Sequence, residues 1–223
     1  MKAAVVGAGA WGTALATLLC KNGHDTVLWC RSADRAAEIE ATGKNPRLKD
    51  VLLPKALHVS ADPACVRGCR MVVIASPSSH IRTVSRAVAP YIEADAVMVS
   101  VTKGIEEGSL LRMSQIVAQE TGHKVVALSG PCHAEEVARQ VPTGCLAACD
   151  DRGLAEFVQD AFMSESFRVY TSPDAVGAEL GGALKNVIAL CAGVVTGLGY
   201  GDNTKAMLMT RGLTEMARLG VSM

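Results

Sequence analysis

Short runs of branched and small apolar residues recur along the chain, and most of them close on Gly, Ser or Thr. "AAVVGAG", "TVLWCR", "RMVVIAS", "AVMVSVT", "KVVALSG", "GCLAAC" and "SFRVYTS" are such runs. Their apolar character is nearly continuous, as it is in strands buried on both faces. Helical periodicity fills the intervals, beginning with a helix from about Gly12 to Asn22 that Gly23 ends. This alternation predicts an α/β protein with a Rossmann-like, doubly wound, mainly parallel sheet. "TGKNPRLKDVLLP" lacks periodicity and predicts a loop across the surface.

The pattern changes after Pro173. Two helices are expected, about 174–197 and 203–219, with "GLGYGD" between them and Asp202 or Asn203 as N-cap. Both are apolar on more than one face, and two helices are too few for a core of their own. The expected division is therefore a dinucleotide-binding domain over 1–173 and the start of an all-helical domain over 174–223. The apolar faces call for the sheet domain, a second subunit in a homodimer, or further chain to cover them. The apolar run Val187–Leu198 is too short to span a bilayer, so no transmembrane segment is predicted.

Composition narrows the classes. Of 223 residues, 49% are apolar and 20% charged, which suits a sizeable core. Lys plus Arg and Asp plus Glu both number 22, so no basic excess points to nucleic acid. No run of like charge marks a membrane-binding face. The cysteines are scattered, without a CxxC pair, and most lie in apolar runs; reduced thiols and a cytoplasmic setting are expected. Residues 3–20 carry no charge and follow Lys2, in imitation of a signal peptide. Three glycines there fit a phosphate-binding turn better.

Those glycines are Gly7, Gly9 and Gly12, a G-x-G-x-x-G directly after a strand and opening a helix. Gly7 allows the tight turn, Gly9 lets a pyrophosphate approach the backbone, and Gly12 lets helix and strand pack closely. The helix N-terminus then favours the anion. The second strand ends at Arg31, where an acidic residue would grip the ribose of NAD. Arg31 can stack on adenine, meet the 2′-phosphate of NADP, or simply be solvated, so NAD or NADP is expected. Ligands of such sheets lie beyond the carboxyl ends of the strands. The loops "SPSSH", "TKG" and "SGPCHAEE" carry polar groups there. Lys103 of "TKG" is a candidate to point into the crevice. A helix is expected to start near Cys132, and His80 and His133 are proton carriers or loop histidines.

Several stretches together resemble the NAD(P)-dependent glycerol-3-phosphate dehydrogenases of bacterial type: "GAGAWGTALA", "NPRLKDVLLP", "TKGIE", "SGPCHAEE", "ELGGALKNVIA", "GLGYGDNTKA" and "TRGLTEMARLG". The resemblance runs from the first strand to the last helix. It implies reduction of dihydroxyacetone phosphate to sn-glycerol 3-phosphate, a phospholipid precursor, by a cytoplasmic enzyme. It implies that Lys185 donates the proton to the substrate oxygen and that Lys103 holds and polarises the substrate beside the nicotinamide. Gly130, Cys132 and Asn186 would add substrate contacts, and Ala10, Trp11, Arg31 and Ala134 match cofactor-contacting positions. Chemistry agrees, because hydride addition leaves negative charge on an oxygen that an ammonium stabilises and protonates. On this basis Lys185 is expected to be partly buried, close to Lys103 and Lys205. Cys132 stands where many relatives have Ser or Thr, and His133 where many have an aromatic residue. The family continues into a larger helical domain with a phosphate-binding arginine, so 174–223 is expected to be that domain's N-terminal portion. Rival readings are a ketopantoate reductase-like or hydroxyacid dehydrogenase, and a dinucleotide-sensing module without turnover.

Overall fold

The fold is that of a computed structural model describing residues 1–131 and 133–223. The strands are β1 (Lys2–Val6), β2 (Asp25–Trp29), β3 (His58–Ser60), β4 (Met71–Ile74), β5 (Val97–Ser100), β6 (Val125–Ser129), β7 (Thr143–Ala148) and β8 (Phe167–Ser172). The helices are α1 (Ala10–Lys21), α2 (Ala33–Thr42), α3 (Ile81–Val88), α4 (Met113–Thr121), α5 (Ala134–Ala138), α6 (Arg152–Phe162), α7 (Ala175–Gly197) and α8 (Asp202–Ser222). One sheet holds all eight strands in the order β3-β2-β1-β4-β5-β6-β7-β8. Successive residues of β1 enter opposite cores: Ala3 and Val5 pack with Leu15, Leu19 and Phe162, while Ala4 and Val6 pack with Ile74, Ile81 and Met98. Both faces are thus covered, as the continuous apolar runs require.

The chain reverses direction across the sheet between β1 and β4. From β1 it builds outward through β2 to β3, then returns to place β4 on the other side of β1. The first six strands in this order run parallel. β7 is antiparallel to β6, and β8 is parallel to β7. A parallel pairing needs a full crossover. The link from β6 to β7 contains only the five-residue α5 and stays at the carboxyl ends of the parallel strands. β8 therefore ends towards the amino ends of the parallel strands, and α7 starts there.

That start fixes the character of α7. Asp174 caps it, its Oδ1 accepting from Gly177 N at 2.7 Å. The early turns lie on the sheet, where Glu179, Leu180 and Gly182 are buried. Beyond them the helix clears the strands, and Val187, Leu190, Val194 and Leu198 are exposed. α8 packs back along α7, with Gly212 against Ile188, and leaves Met207, Met209 and Leu213 exposed. At 23 residues, and with a mean hydropathy of 1.5, α7 is long and apolar enough to cross a membrane by length and composition. Its first half is nonetheless a layer of this fold.

Several expectations need correction. β3 has three residues, none buried, too few and too polar for a visible apolar pattern. α1 begins at Ala10 on the N-cap Gly9, two residues before the expected start. α8 has Gly201 as N-cap, and Asp202 sits in its first turn, where a carboxylate favours the helix dipole. The helix expected near Cys132 begins at Ala134, and Cys132 itself lies outside the described residues. Cys20, Cys30, Cys65, Cys69, Cys149 and Cys191 are free thiols, and burial pushes Cys65 and Cys69 up to about 11.

Candidate functional site

Gly7, with φ of 130°, lies in a region that side chains rarely adopt. A Cβ there would stand 2.5 Å from the carbonyl oxygen of Ala75, so the turn after β1 presses directly on the end of β4. Gly12 is tighter still, because its Cβ would fall 2.0 Å from the oxygen of Gly7. Gly9 differs from both. Nothing lies within 4 Å of where its Cβ would be, and it caps α1 without a side-chain bond. Gly7 and Gly12 are thus closed in by backbone, while Gly9 leaves an open approach to a helix N-terminus.

The open approach is the floor of a cleft of about 360 Å³, lined by Gly9, Ala10, Trp11, Ser76, Thr102 and Lys103 among others. It lies at the carboxyl ends of β1, β4 and β5, where the strand order reverses. Two buried polar atoms in its lining residues, Trp11 Nε1 and Ser76 Oγ, have no hydrogen-bond partner among the described residues. Buried polar groups are normally satisfied, so these two atoms are left with unused hydrogen-bonding capacity next to the cleft. A dinucleotide, with its pyrophosphate over Gly9, fits this arrangement. Ala10 opens α1, and Arg31 is exposed just beyond the end of β2, whose Trp29 oxygen accepts from Gly7 N at 3.1 Å. Ala134, the first residue of α5, is buried.

A residue without an expected role holds the turn. Asn45, 2% exposed, sends its Nδ2 to the oxygen of Ala8 at 3.1 Å and to Thr13 Oγ1 at 2.7 Å. Thr13 Oγ1 in turn donates to Gly9 O at 2.8 Å. The aperiodic loop after α2 is therefore tied to the glycine turn; in the sequence Asn45 stands out only as the first residue of the stretch "NPRLKDVLLP".

Lys103 leaves the end of β5 and donates from Nζ to Gly130 O at 2.8 Å, which joins the "TKG" and "SGP" loops. Its stem crosses α7 at Gly182, where a Cβ would stand 3.4 Å from Lys103 Cγ and 2.9 Å from Ser129 Oγ. Lys185 is one turn further along, and residues three apart on a helix share a face. The sheet thus brings Lys103, Gly130 and the helix carrying Lys185 and Asn186 to one edge. Lys185 and Asn186 are exposed, contrary to the partial burial expected of the lysine. The physical reason is that α7 has already cleared the strands at that height. Lys205 pairs with Asp202 at 3.8 Å. His80 and His133 are both exposed, and His133 lies 3.5 Å from Glu135.

The loop after Lys103 is pinned. Arg82 grips Glu106 with two bonds, at 2.8 and 2.6 Å, and Ser109 Oγ donates to the same carboxylate at 2.6 Å. The hydrogen bonds from Arg82 first, and from Ser109 second, hold the Glu106 carboxyl down at about 2. Arg82 also reaches Glu120, which Arg86 shares.

Known proteins give the same picture. A family model described as "NAD-dependent glycerol-3-phosphate dehydrogenase N-terminus" matches residues 2–155, and its C-terminus counterpart matches residues 174–223. A glycerol-3-phosphate dehydrogenase [NAD(P)+] of Pelotomaculum thermopropionicum is 52% identical over 100% of this chain and 65% of its own length. One from Thermoanaerobacter sp. is 47% identical over 100% of this chain and 68% of its own. The crystal structure of glycerol-3-phosphate dehydrogenase from Coxiella burnetii superposes with a TM-score of 0.90 at 37% identity, covering 98% of this chain and 68% of that one. This chain therefore spans about two thirds of the length of such relatives. By this similarity along its whole length, the chain belongs to the NAD-dependent glycerol-3-phosphate dehydrogenase family.

Proposed function

We propose that this chain carries the cofactor cleft and the proton-donating lysine of an NAD(P)H-dependent oxidoreductase that reduces dihydroxyacetone phosphate to sn-glycerol 3-phosphate for glycerophospholipid synthesis. One observation carries the reading: the stem of Lys103, at the rim of the dinucleotide cleft, packs on Gly182, one turn before Lys185. Family membership supports the choice of substrate over ketopantoate or a hydroxyacid. Residues 1–173 form the dinucleotide-binding domain and 174–223 belong to the helical substrate domain.

Gly7, Gly9, Ala10, Trp11 and Gly12 would hold the cofactor, with Arg31 and Ala134 at its margins, and when bound it would supply a hydride for the carbonyl carbon. Lys103 orients the substrate through the hydrogen bond that ties it to Gly130, with Asn186 adding a contact; the substrate contact read from the sequence at Cys132 lies outside the described residues. As charge develops on the carbonyl oxygen, the Lys185 ammonium stabilises it and transfers a proton from Nζ; in the oxidative direction the neutral amine takes the proton back. The protein is assigned to the cytoplasm, with a small phosphate ester as its partner and neither nucleic acid nor membrane. A homodimer is tested by light scattering.

Oxidation of NADH and NADPH by dihydroxyacetone phosphate, followed by absorbance, tests the reading directly. Lys185→Ala should lower turnover by about 10²–10⁴-fold, with cofactor affinity unchanged. Undiminished turnover removes the proton donor, and turnover with ketopantoate alone removes the substrate. Arg31→Ala should weaken NADPH more than NADH if the guanidinium meets the 2′-phosphate.

A further inference from the structure

Lys185 stands where α7 has left the sheet, so the rotation of the helix about its own axis decides where the ammonium points. One loop meets two successive turns of that helix. Residues 103–112 leave β5 and return to α4, and a bridge between Ile105 and Arg112 draws the two ends together. At one end Lys103 lies on Gly182. At the other, Arg112 pairs with Glu179, one turn earlier on the same helix.

The second contact answers a local need. Arg112 is the N-cap of α4, and an arginine side chain offers no acceptor for the orphan N–H groups of a first turn. Gln115 Oε1 accepts from Arg112 N at 3.0 Å. Glu179 supplies the acceptor that the cap lacks, its Oε1 taking Ser114 N at 2.8 Å and its Oε2 taking Ser114 Oγ at 2.6 Å. The Arg112 guanidinium donates to the same Oε2. Glu179 is 8% exposed and fully engaged, and none of these groups takes part in the chemistry proposed above.

We propose that Glu179 is a positioning residue. It caps α4 from across the fold and so locks the rotation of α7 to the loop that carries Lys103, which keeps Lys103 and Lys185 on one side of the crevice. This rests on the reading of the two lysines given above.

The test is competitive acetylation of the lysines in the full chain, read by mass spectrometry, in Glu179→Ala and in the milder Ser114→Ala. Labelling of Lys103 should rise roughly 10-fold in Glu179→Ala and less in Ser114→Ala, with Lys2 and Lys21 unchanged. In parallel, Glu179→Ala should lower kcat about 10²-fold with NADH affinity, read by fluorescence, unchanged. In a Lys185→Ala background the same substitution should add no further loss. Unchanged Lys103 labelling in both variants overturns the proposal, as does full additivity with Lys185→Ala. An equal rise at every lysine in Glu179→Ala reports general unfolding and counts against a local device unless Ser114→Ala shows the selective rise. Retained turnover in Lys185→Ala alone defeats the catalytic reading, while the labelling still decides whether Glu179 sets the geometry.

Discussion

Gly12 and Gly212 both stand where a neighbour comes too close for a side chain, yet the neighbours differ in kind. At Gly12 the obstacle is the backbone oxygen of Gly7, 2.0 Å from a Cβ. At Gly212 it is the Ile188 side chain, with Cδ1 at 2.6 Å, Cγ1 at 2.8 Å and Cγ2 at 3.0 Å from a Cβ. The turn at Gly7, pressed against the end of β4, cannot retreat, whereas an isoleucine between two partly exposed helices can move aside with its helix. The sheet half is thus built to one tolerance and the helical pair to another.

The sharpest way to break this contrast is to add side chains at both positions. Gly12→Val should cost more than about 4 kcal/mol and leave little folded protein in thermal unfolding. Gly212→Ala should cost less than about 1 kcal/mol, because the helix preference of alanine over glycine offsets the displaced isoleucine. Equal losses would mean that the two regions share one rigidity after all.

Asn45→Ala comes next in size. It strips three side-chain hydrogen bonds from a buried site and should cost about 1–3 kcal/mol in urea unfolding. NADH binding should weaken alongside, because the carbonyl of Ala8 and the hydroxyl of Thr13 lose the group that fixes them. Lost stability with unaltered binding would detach the loop from the cofactor cleft.

Acid is a gentler probe of the sheet half. The Glu106 carboxyl titrates at about 2 in the fold, against an ordinary value of 4.5. A depressed value means that its stabilising contribution is fully present above about 4.5 and fades as the pH falls towards 2. Wild-type Tm should therefore drop more steeply across that window than Tm of Glu106→Gln; parallel curves would show the Arg82 pairing to be energetically idle.

The smallest effect belongs to the helical pair. Leu190→Ser and Leu213→Ser, both on exposed faces, should each change stability by no more than about 0.5 kcal/mol in this chain. A larger loss would mean that those faces are covered in solution.

Legibility in the sequence followed the range of the interaction. β1, α1 and the glycine turn are contiguous, and their roles depend on residues a few positions apart, so period and spacing reveal them. The same holds for Lys103, one residue short of a glycine after an apolar strand. Asn45 bonds to Ala8, and Glu179 to Ser114, across distances in the chain that carry no local pattern. The reversal of β7 depends on where a short link emerges, which periodicity does not encode. The exposure of Lys185 had the same origin, since it reflects how far α7 has risen when residue 185 is reached.

That height makes α7 a ruler. From Ala175 to Lys185 the helix rises about 15 Å at 1.5 Å per residue, close to the length of a five-residue strand at about 3.3 Å each. The antiparallel course of β7 and β8 sets the zero of this ruler towards the amino ends of the parallel strands. One residue inserted before Pro173 would be absorbed in the turn, because the Asp174 cap starts the count afresh. One residue inserted between Gly182 and Lys185 would swing the lysine through about 100° and lift it by about 1.5 Å. Gene-level tolerance to insertion should therefore change abruptly within this segment, from permissive ahead of the cap to intolerant beyond it.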